Sequence, residues 1–238
     1  MTLSITPFSW FFIFYGLLLI LCAAVGYLLG SINSSIILTK LYKKGDIREQ
    51  GSGNAGMTNV LRSVGKLPAF LTFVGDFLKC VIAILLASLV MRLLGVESGS
   101  EVVKIAQYTA GVFCVMGHAF PLYYGFRGGK CIVTAAAMIA LTDWRVFLLI
   151  ISTFLILFIW KRIISLASIT CAALYPVYTF LITFFLDYQK GLHSLGYLIF
   201  VTAVTLCVGV FVLYRHRSNI ARLRRGEEKP ITIGKKTG

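Results

Sequence analysis

Long runs of apolar residues separated by short polar links dominate this chain. Six runs cover residues 9–29, 67–94, 102–124, 146–160, 163–186 and 195–214, and a seventh, 131–141, has 11 residues. A helix that crosses a bilayer needs about 20 apolar residues, so the long runs predict transmembrane helices. The ~10-residue alternating segments of a membrane β-barrel are absent. No repeat of solenoid period and no low-complexity linker interrupts the pattern. The expected fold is all-α, an integral membrane protein forming one domain over residues 1–238.

Charge decides what the short seventh run does, because cations collect on the cytoplasmic side of short loops. The 40–66 connection carries six Lys or Arg, the Arg127/Lys130 stretch two, Lys161/Arg162 two and the tail from Arg215 eight, together 18 of 23. The links 95–101, 142–145 and 187–194 hold Glu97, Glu101, Asp143 and Asp187, with only Arg145 and Lys190 as cations. Arg127/Lys130 and Lys161/Arg162 share a side only if 131–141 crosses and 146–160 returns. A single bundle of seven transmembrane helices follows, with the N-terminus outside, the C-terminus cytoplasmic and a short basic tail from about residue 215. Trp144 and Trp160 are 16 residues apart, which at about 1.5 Å per residue spans most of a hydrocarbon core, so both rings fall at interfaces.

Composition narrows the class further. Apolar residues make up 58% and charged residues 13% of 238 positions, which excludes an ordinary soluble domain and leaves no room for a large extramembrane one. The formal net charge of +14 sits beside apolar segments, so anionic lipid or an anionic substrate is expected, and no nucleic acid. Six cysteines stand singly in or beside apolar runs and read as buried small hydrophobes. The first cation is Lys40, so run 9–29 lacks the basic flank of a signal peptide and is kept as a helix.

Two links predicted to be cytoplasmic are rich in glycine: GSGNAGMTNVLR (51–62) and GHAFPLYYGFRGGK (117–130). The first contains G-x-G-x-x-G, but a dinucleotide fingerprint needs a strand before it and here it lies between spans. The second resembles a phosphate-binding P-loop, yet its first glycine is missing and Cys131 stands where Ser or Thr would hold Mg²⁺. What remains is the mechanism beneath both patterns. Backbone N–H groups at glycine turns, with the first turn opening into a helix at 58–62, make a cradle for phosphate. Lys130 adds a point charge. In the third polar stretch, YRHRSNIARLRRGEE (214–228), His216 and Asn219 share a face if the last helix continues. Asp76 and Lys79 lie i, i+3 inside a span, where they either pair structurally or contact the motif glycines. His118 holds a loop by hydrogen bonding.

These three stretches, in order, resemble the signature motifs of the bacterial membrane acyltransferases that move a fatty acyl group from acyl phosphate to glycerol 3-phosphate. The resemblance runs from about residue 30 to residue 228 and includes Gly30-Ser31-Ile32, the Asp76 and Lys79 stretch, and Lys161-Arg162 with Ser165 and Ser168. It implies a seven-helix fold in the bacterial cytoplasmic (inner) membrane, an active site facing the cytoplasm, and the first acylation step of phospholipid synthesis. Ser52, Gly53, Asn54, Thr58, Asn59, Gly128, Gly129 and Lys130 would hold acyl phosphate. Arg62, Lys130, Ser168, His216 and Asn219 would hold glycerol 3-phosphate, with Ser52, Lys130, His216 and Asn219 as the catalytic group. The expected protein acts as a monomer, without cofactor, on these two substrates within membrane lipid. One departure stands out: family members read glycine after the motif lysine, whereas this chain has Cys131, which a positive φ would strain.

Acyl transfer from a mixed anhydride needs positioning more than leaving-group activation. The acceptor hydroxyl has to lie about 3 to 3.5 Å from the acyl carbon, with preset donors at the developing charge. His216, flanked by Arg215 and Arg217, is a candidate base favoured in its neutral form. The resemblance offers the phosphate of the acceptor as the alternative proton acceptor. A transporter of organic phosphates would place such elements at mid-membrane within matching halves, and no halves match here. The three histidines are scattered, so no metal site is expected. Treatment with a chelator is expected to leave transfer intact, and complete loss of activity would overturn that expectation.

Overall fold

The computed structural model describes residues 7–228 and Pro230, with side chains from Ile13 onward. Lys229, Lys235 and Lys236 of the basic tail lie outside the described residues. Regular structure among the described residues is entirely helical. The chain forms two compact units, Met1–Thr142 and Asp143–Gly238, within what the sequence reading takes as one domain.

The first unit begins with α1 (Pro7–Ser31), followed after two residues by α2 (Ser34–Lys43). The sequence reading took this region as one span followed by a connector, and the break has a local cause. Asn33 Oδ1 accepts from Ile36 N at 3.2 Å and from Ser35 Oγ at 2.6 Å, which caps a new helix. Lys44, in the left-handed region at φ 53°, ends it by donating its N–H to Lys40 O. Then come α3 (Met57–Ser63), α4 (Lys66–Leu93), α5 (Glu101–Ala119) and α6 (Ile132–Thr142). Pro68 sits in the first turn of α4, where its missing N–H has no intrahelical partner to lose.

α5 packs against α1, α4 and α6. In lipid there is no hydrophobic drive between helices, so small residues and close backbone approach hold them together. A Cβ on Gly26 would stand 2.4 Å from Ala110 O, one on Gly30 2.2 Å from Cys114 O, and one on Gly117 2.3 Å from Tyr27 O. These three glycines let α1 and α5 touch along their backbones. Cys22, Ala87, Met91, Val103, Ala106 and Ala110 continue the packed core from the Gly26–Ala110 contact.

The second unit contains α7 (Trp144–Lys161), α8 (Ile164–Ile182) with a π-helical turn at Thr183–Tyr188, α9 (Leu195–Arg215) and α10 (Arg217–Arg224). Arg145 grips Asp187 with two parallel bonds of 2.8 and 2.7 Å and also binds Asp143. The links 142–145 and 187–194, which charge assigns to one side, therefore meet at one end of this unit. Pro176 cannot donate to the carbonyl of Ala172, and α9 crosses α8 there through Gly209, whose Cβ would lie 2.6 Å from Ala172 O.

Among the described residues five segments are long and apolar enough to cross a membrane: Ile13–Lys43, Lys66–Leu93, Trp144–Lys161, Ile164–Tyr188 and Leu195–Arg215. α5 carries Glu101, Lys104 and His118, and α6 has only 11 residues, so neither joins that set. Of the cysteines, all free, five are buried as expected and Cys207 is exposed.

The backbone contact between α1 and α5 predicts that Gly30→Ala destabilises the protein by roughly 1–3 kcal/mol, the usual range for overpacking. Gly16→Ala, with nothing within 4 Å of its Cβ, is expected to be neutral or stabilising. Thermal unfolding in detergent checks both, and equal melting temperatures for the two variants would refute the packing argument.

Candidate active site

Asn59 organises the first glycine motif. It lies in α3 and is buried, and its Nδ2 faces the carbonyls of Gln50 at 2.8 Å, Ile47 at 3.1 Å and Asn54 at 3.1 Å. Its Oδ1 accepts from Ser52 N at 3.0 Å. One carboxamide thus supplies both the donor and the acceptor that an irregular loop lacks. Gly51 is held at φ 56°, and a Cβ there would lie 2.4 Å from Asn59 Oδ1. Gly53 N and Gly56 N are consumed by Gln50 O and Asn54 O. The amides of Met57 and Thr58 head α3 without an intrahelical partner, while Ser52 is exposed and Asn54 and Thr58 are half-buried.

In the second motif the chain leaves α5, turns at Leu122–Tyr124 and folds back. Gly128 N donates to Ala119 O and Gly129 N to His118 O, both at 3.1 Å. Neither glycine tolerates a side chain. A Cβ on Gly128 would lie 2.0 Å from His118 O, and one on Gly129 2.2 Å from His118 Nε2 and 2.6 Å from Ala55 O. The last of these contacts joins the two motifs. Arg48 joins them again, with Nη1 donating to Tyr124 O at 2.6 Å while its other nitrogens clamp Asp46. The Arg48 hydrogen bonds hold the Asp46 carboxyl below its usual 3.8. Lys130 is half-buried directly after this junction. Cys131, as the sequence suggested, is forced to a positive φ of 67°, with its buried Sγ 3.3 Å from Val115 O.

Behind the second motif lies a buried charged cluster. Lys79 Nζ is 3.0 Å from Asp76 Oδ1 and 3.0 Å from His118 Nδ1, and it also reaches Gly30 O and Ile32 O. Asp76 and Lys79 therefore pair structurally, as the first reading has it, and the partner that Lys79 meets in the second motif is His118 rather than a glycine.

In the second unit α9 ends at Arg215 and His216 interrupts the helix before α10. The unbroken helix on which the expected shared face depended is therefore absent, yet His216 and Asn219 are both buried, with exposures of 3% and 7%. His216 Nδ1 lies 2.8 Å from Val212 O, so that nitrogen carries the proton and Nε2 is an acceptor in the neutral ring. Glu228 folds back to accept from Ser165 Oγ at 2.7 Å, Asn219 Nδ2 at 2.7 Å and Arg222 Nε at 2.5 Å. Burial raises its pKa, but those three donors outweigh burial and hold the carboxyl below its usual 4.5. The contact is therefore intact at neutral pH and is lost only as pH falls through that depressed value. One turn along α8 from Ser165, Ser168 is buried and its Oγ has no hydrogen-bond partner.

The structure thus brings Ser52, Gly53, Asn54, Gly128, Gly129 and Lys130 onto two adjoining loops of the first unit, with Thr58, Asn59 and Arg62 on α3, which follows the first of them. Ser168, His216 and Asn219 lie in the second unit, where Glu228 joins Asn219 to Ser165, one turn from Ser168. Sequence reasoning missed Arg48, Ser165 and Glu228 as members of these clusters. For Glu228 the signal was its position inside the third motif, and for Arg48 a charge just ahead of the first.

The family model described as glycerol-3-phosphate acyltransferase matches residues 20–226. The chain is similar to the glycerol-3-phosphate acyltransferase of Rhodospirillum rubrum, 39% identical over 92% of this chain and 94% of that protein. It is also similar to that of Clostridioides difficile, 36% identical over 89% of this chain and 95% of the relative. Among solved structures it resembles PlsY (YgiH), an integral membrane glycerol 3-phosphate acyltransferase, in its glycerol 3-phosphate form. That match has a TM-score of 0.71 and 35% identity, covering 90% of this chain and 96% of that one. The lysophosphatidic acid form of PlsY gives a TM-score of 0.70 at 34% identity, covering 90% of this chain and 95% of that one. The chain therefore belongs to the glycerol-3-phosphate acyltransferase family and is a multi-pass integral membrane protein.

Proposed function

We propose that this protein transfers a fatty acyl group from acyl phosphate to glycerol 3-phosphate, giving lysophosphatidic acid and phosphate. The observation that carries this reading is the junction of the two glycine motifs, where Gly129 abuts Ala55 and Arg48 binds Tyr124 O at 2.6 Å. That junction puts Lys130 beside a loop built of backbone amides. In the proposed reaction the hydroxyl oxygen of glycerol 3-phosphate attacks the acyl carbon, the acyl–oxygen bond to phosphate breaks, phosphate leaves with the electron pair, and the hydroxyl proton passes to the acceptor's own phosphate. Ser52, Asn54, Thr58 and the amides of Met57 and Thr58 hold the donor's phosphate with Lys130. Asn59, Gly53, Gly128 and Gly129 act by shaping the two loops. Arg62, Ser168, His216 and Asn219 bind the acceptor, for which the unpartnered buried hydroxyl of Ser168 is a ready donor.

The proposed topology is seven spans with the N-terminus outside, α5 and α6 crossing within the protein's own packing, and the reaction facing the cytoplasm of a bacterial inner membrane. Burial of α5 among α1, α4 and α6 supports this, because a helix shielded by others tolerates Glu101, Lys104 and His118. The protein is proposed to act as a monomer.

Purified protein is expected to release phosphate and form lysophosphatidic acid from acyl phosphate and glycerol 3-phosphate, but not from acyl-CoA or acyl carrier protein. Transfer from acyl-CoA with none from acyl phosphate would refute the donor assignment. His216→Gln is expected to raise KM for glycerol 3-phosphate about tenfold or more while the pH–rate profile keeps its shape. A flattened profile would instead make His216 the general base.

A further inference from the structure

The buried cluster behind the second motif does more than neutralise itself. An ammonium has three N–H bonds, and Lys79 Nζ has three hydrogen-bond acceptors: Gly30 O at 3.0 Å, Ile32 O at 2.7 Å and His118 Nδ1 at 3.0 Å. Asp76 Oδ1, although 3.0 Å away, makes no geometrically sound hydrogen bond and balances the charge through space. All three protons of Lys79 are thereby committed, and His118 Nδ1 has to accept. The neutral ring then carries its proton on Nε2. That nitrogen faces Gly129, so closely that a Cβ there would come within 2.2 Å of it. Lys79 and His118 are both about 95% buried, in a setting where a charge without a purpose is costly.

We propose that Asp76 and Lys79 are positioning residues that fix the tautomer and orientation of His118, so that its Nε2–H is presented to the Gly128-Gly129-Lys130 turn and sets where Lys130 stands. Asp76 faces Lys79 as its counter-charge, Lys79 both binds the end of α1 and loads His118, and His118 supports the turn. This resembles the way an outer partner fixes the ring of a working histidine in metal sites, where its loss typically costs 10–100-fold. The inference rests on the assignment of Lys130 to the substrate phosphates.

The test has a spectroscopic arm and a kinetic arm. In ¹⁵N-histidine-labelled protein in nanodiscs, with His118, His193 and His216 assigned by single His→Gln replacements, His118 is expected to be neutral and protonated on Nε2. A proton on Nδ1, or an imidazolium at neutral pH, overturns the proposal without any variant of the cluster having to fold. That arm also stands if the protein transfers no acyl group at all, which would overturn the functional reading separately. In the kinetic arm, His118→Gln keeps a donor near the Nε2 position and is expected to retain kcat/KM within about threefold. His118→Asn keeps only the Nδ1 side and is expected to lose about tenfold or more, mostly in KM for acyl phosphate. Melting temperatures of the two variants are expected to agree. Equal kinetics for Gln and Asn, or a loss that only follows melting temperature, overturns the positioning role.

Discussion

Backbone polar groups that meet no water have to be satisfied inside the protein, and the ammonium of Lys79 meets that demand where α1 stops. A helix ends with carbonyls that lack intrahelical donors. Lys79 takes those of Gly30 and Ile32, and its charge suits the negative end of a helix. Other side chains tie the same end of α1 to the second motif. Tyr27 OH donates to Phe120 O at 2.8 Å, and Ser31 Oγ accepts from Leu122 N at 3.2 Å. The glycine turn that carries Lys130 therefore inherits its position from a helix terminus. The α1–α5 contact through Gly26, Gly30 and Gly117 sets how close that terminus comes.

The two motifs solve one problem by different means. In the first, a single side chain, Asn59, substitutes for the missing partners of a loop that neither helix nor sheet can satisfy. In the second, the turn pairs back onto the final carbonyls of α5, so Gly128 N and Gly129 N are already spent. A cradle read from glycines alone credits those amides to a ligand. In the proposed function that role falls instead to the amides that head α3, together with the cations Lys130 and Arg62. The glycines of the second motif are instead demanded by contact, with backbone or ring atoms where a side chain would be.

Much of this was legible before any coordinates. The apolar runs correspond to helices, the three motifs to the loops and the terminal helix that hold the polar clusters, and Cys131 to a strained φ. The cap at Asn33 was not legible, because Asn inside a run of Ser and Ile reads equally well as a buried residue of a continuing helix. Asn59 could not be separated from its neighbours, since a motif asparagine serves a ligand or a loop with the same atoms. Glu228 was beyond reach for another reason. Its partner Ser165 lies 63 residues away, and no local spacing encodes such a contact.

The strain at Cys131 becomes understandable once the turn is seen as over-determined. Phe126 at φ 59° and Cys131 at φ 67° bracket the two glycines, each in a conformation that costs a non-glycine residue energy. Such strain persists only when surrounding contacts outweigh it. Here those contacts are the pairing onto α5, His118 against Gly129, and the thiol of Cys131 under Val115 O. Under the proposed reaction, a turn held this firmly does not have to reorganise when a phosphate arrives, and preset donors and charges are what lower a barrier dominated by developing charge. The same rigidity lets a cysteine stand where glycine would be easier, because the shape of the turn is dictated from both sides rather than chosen by the residue itself.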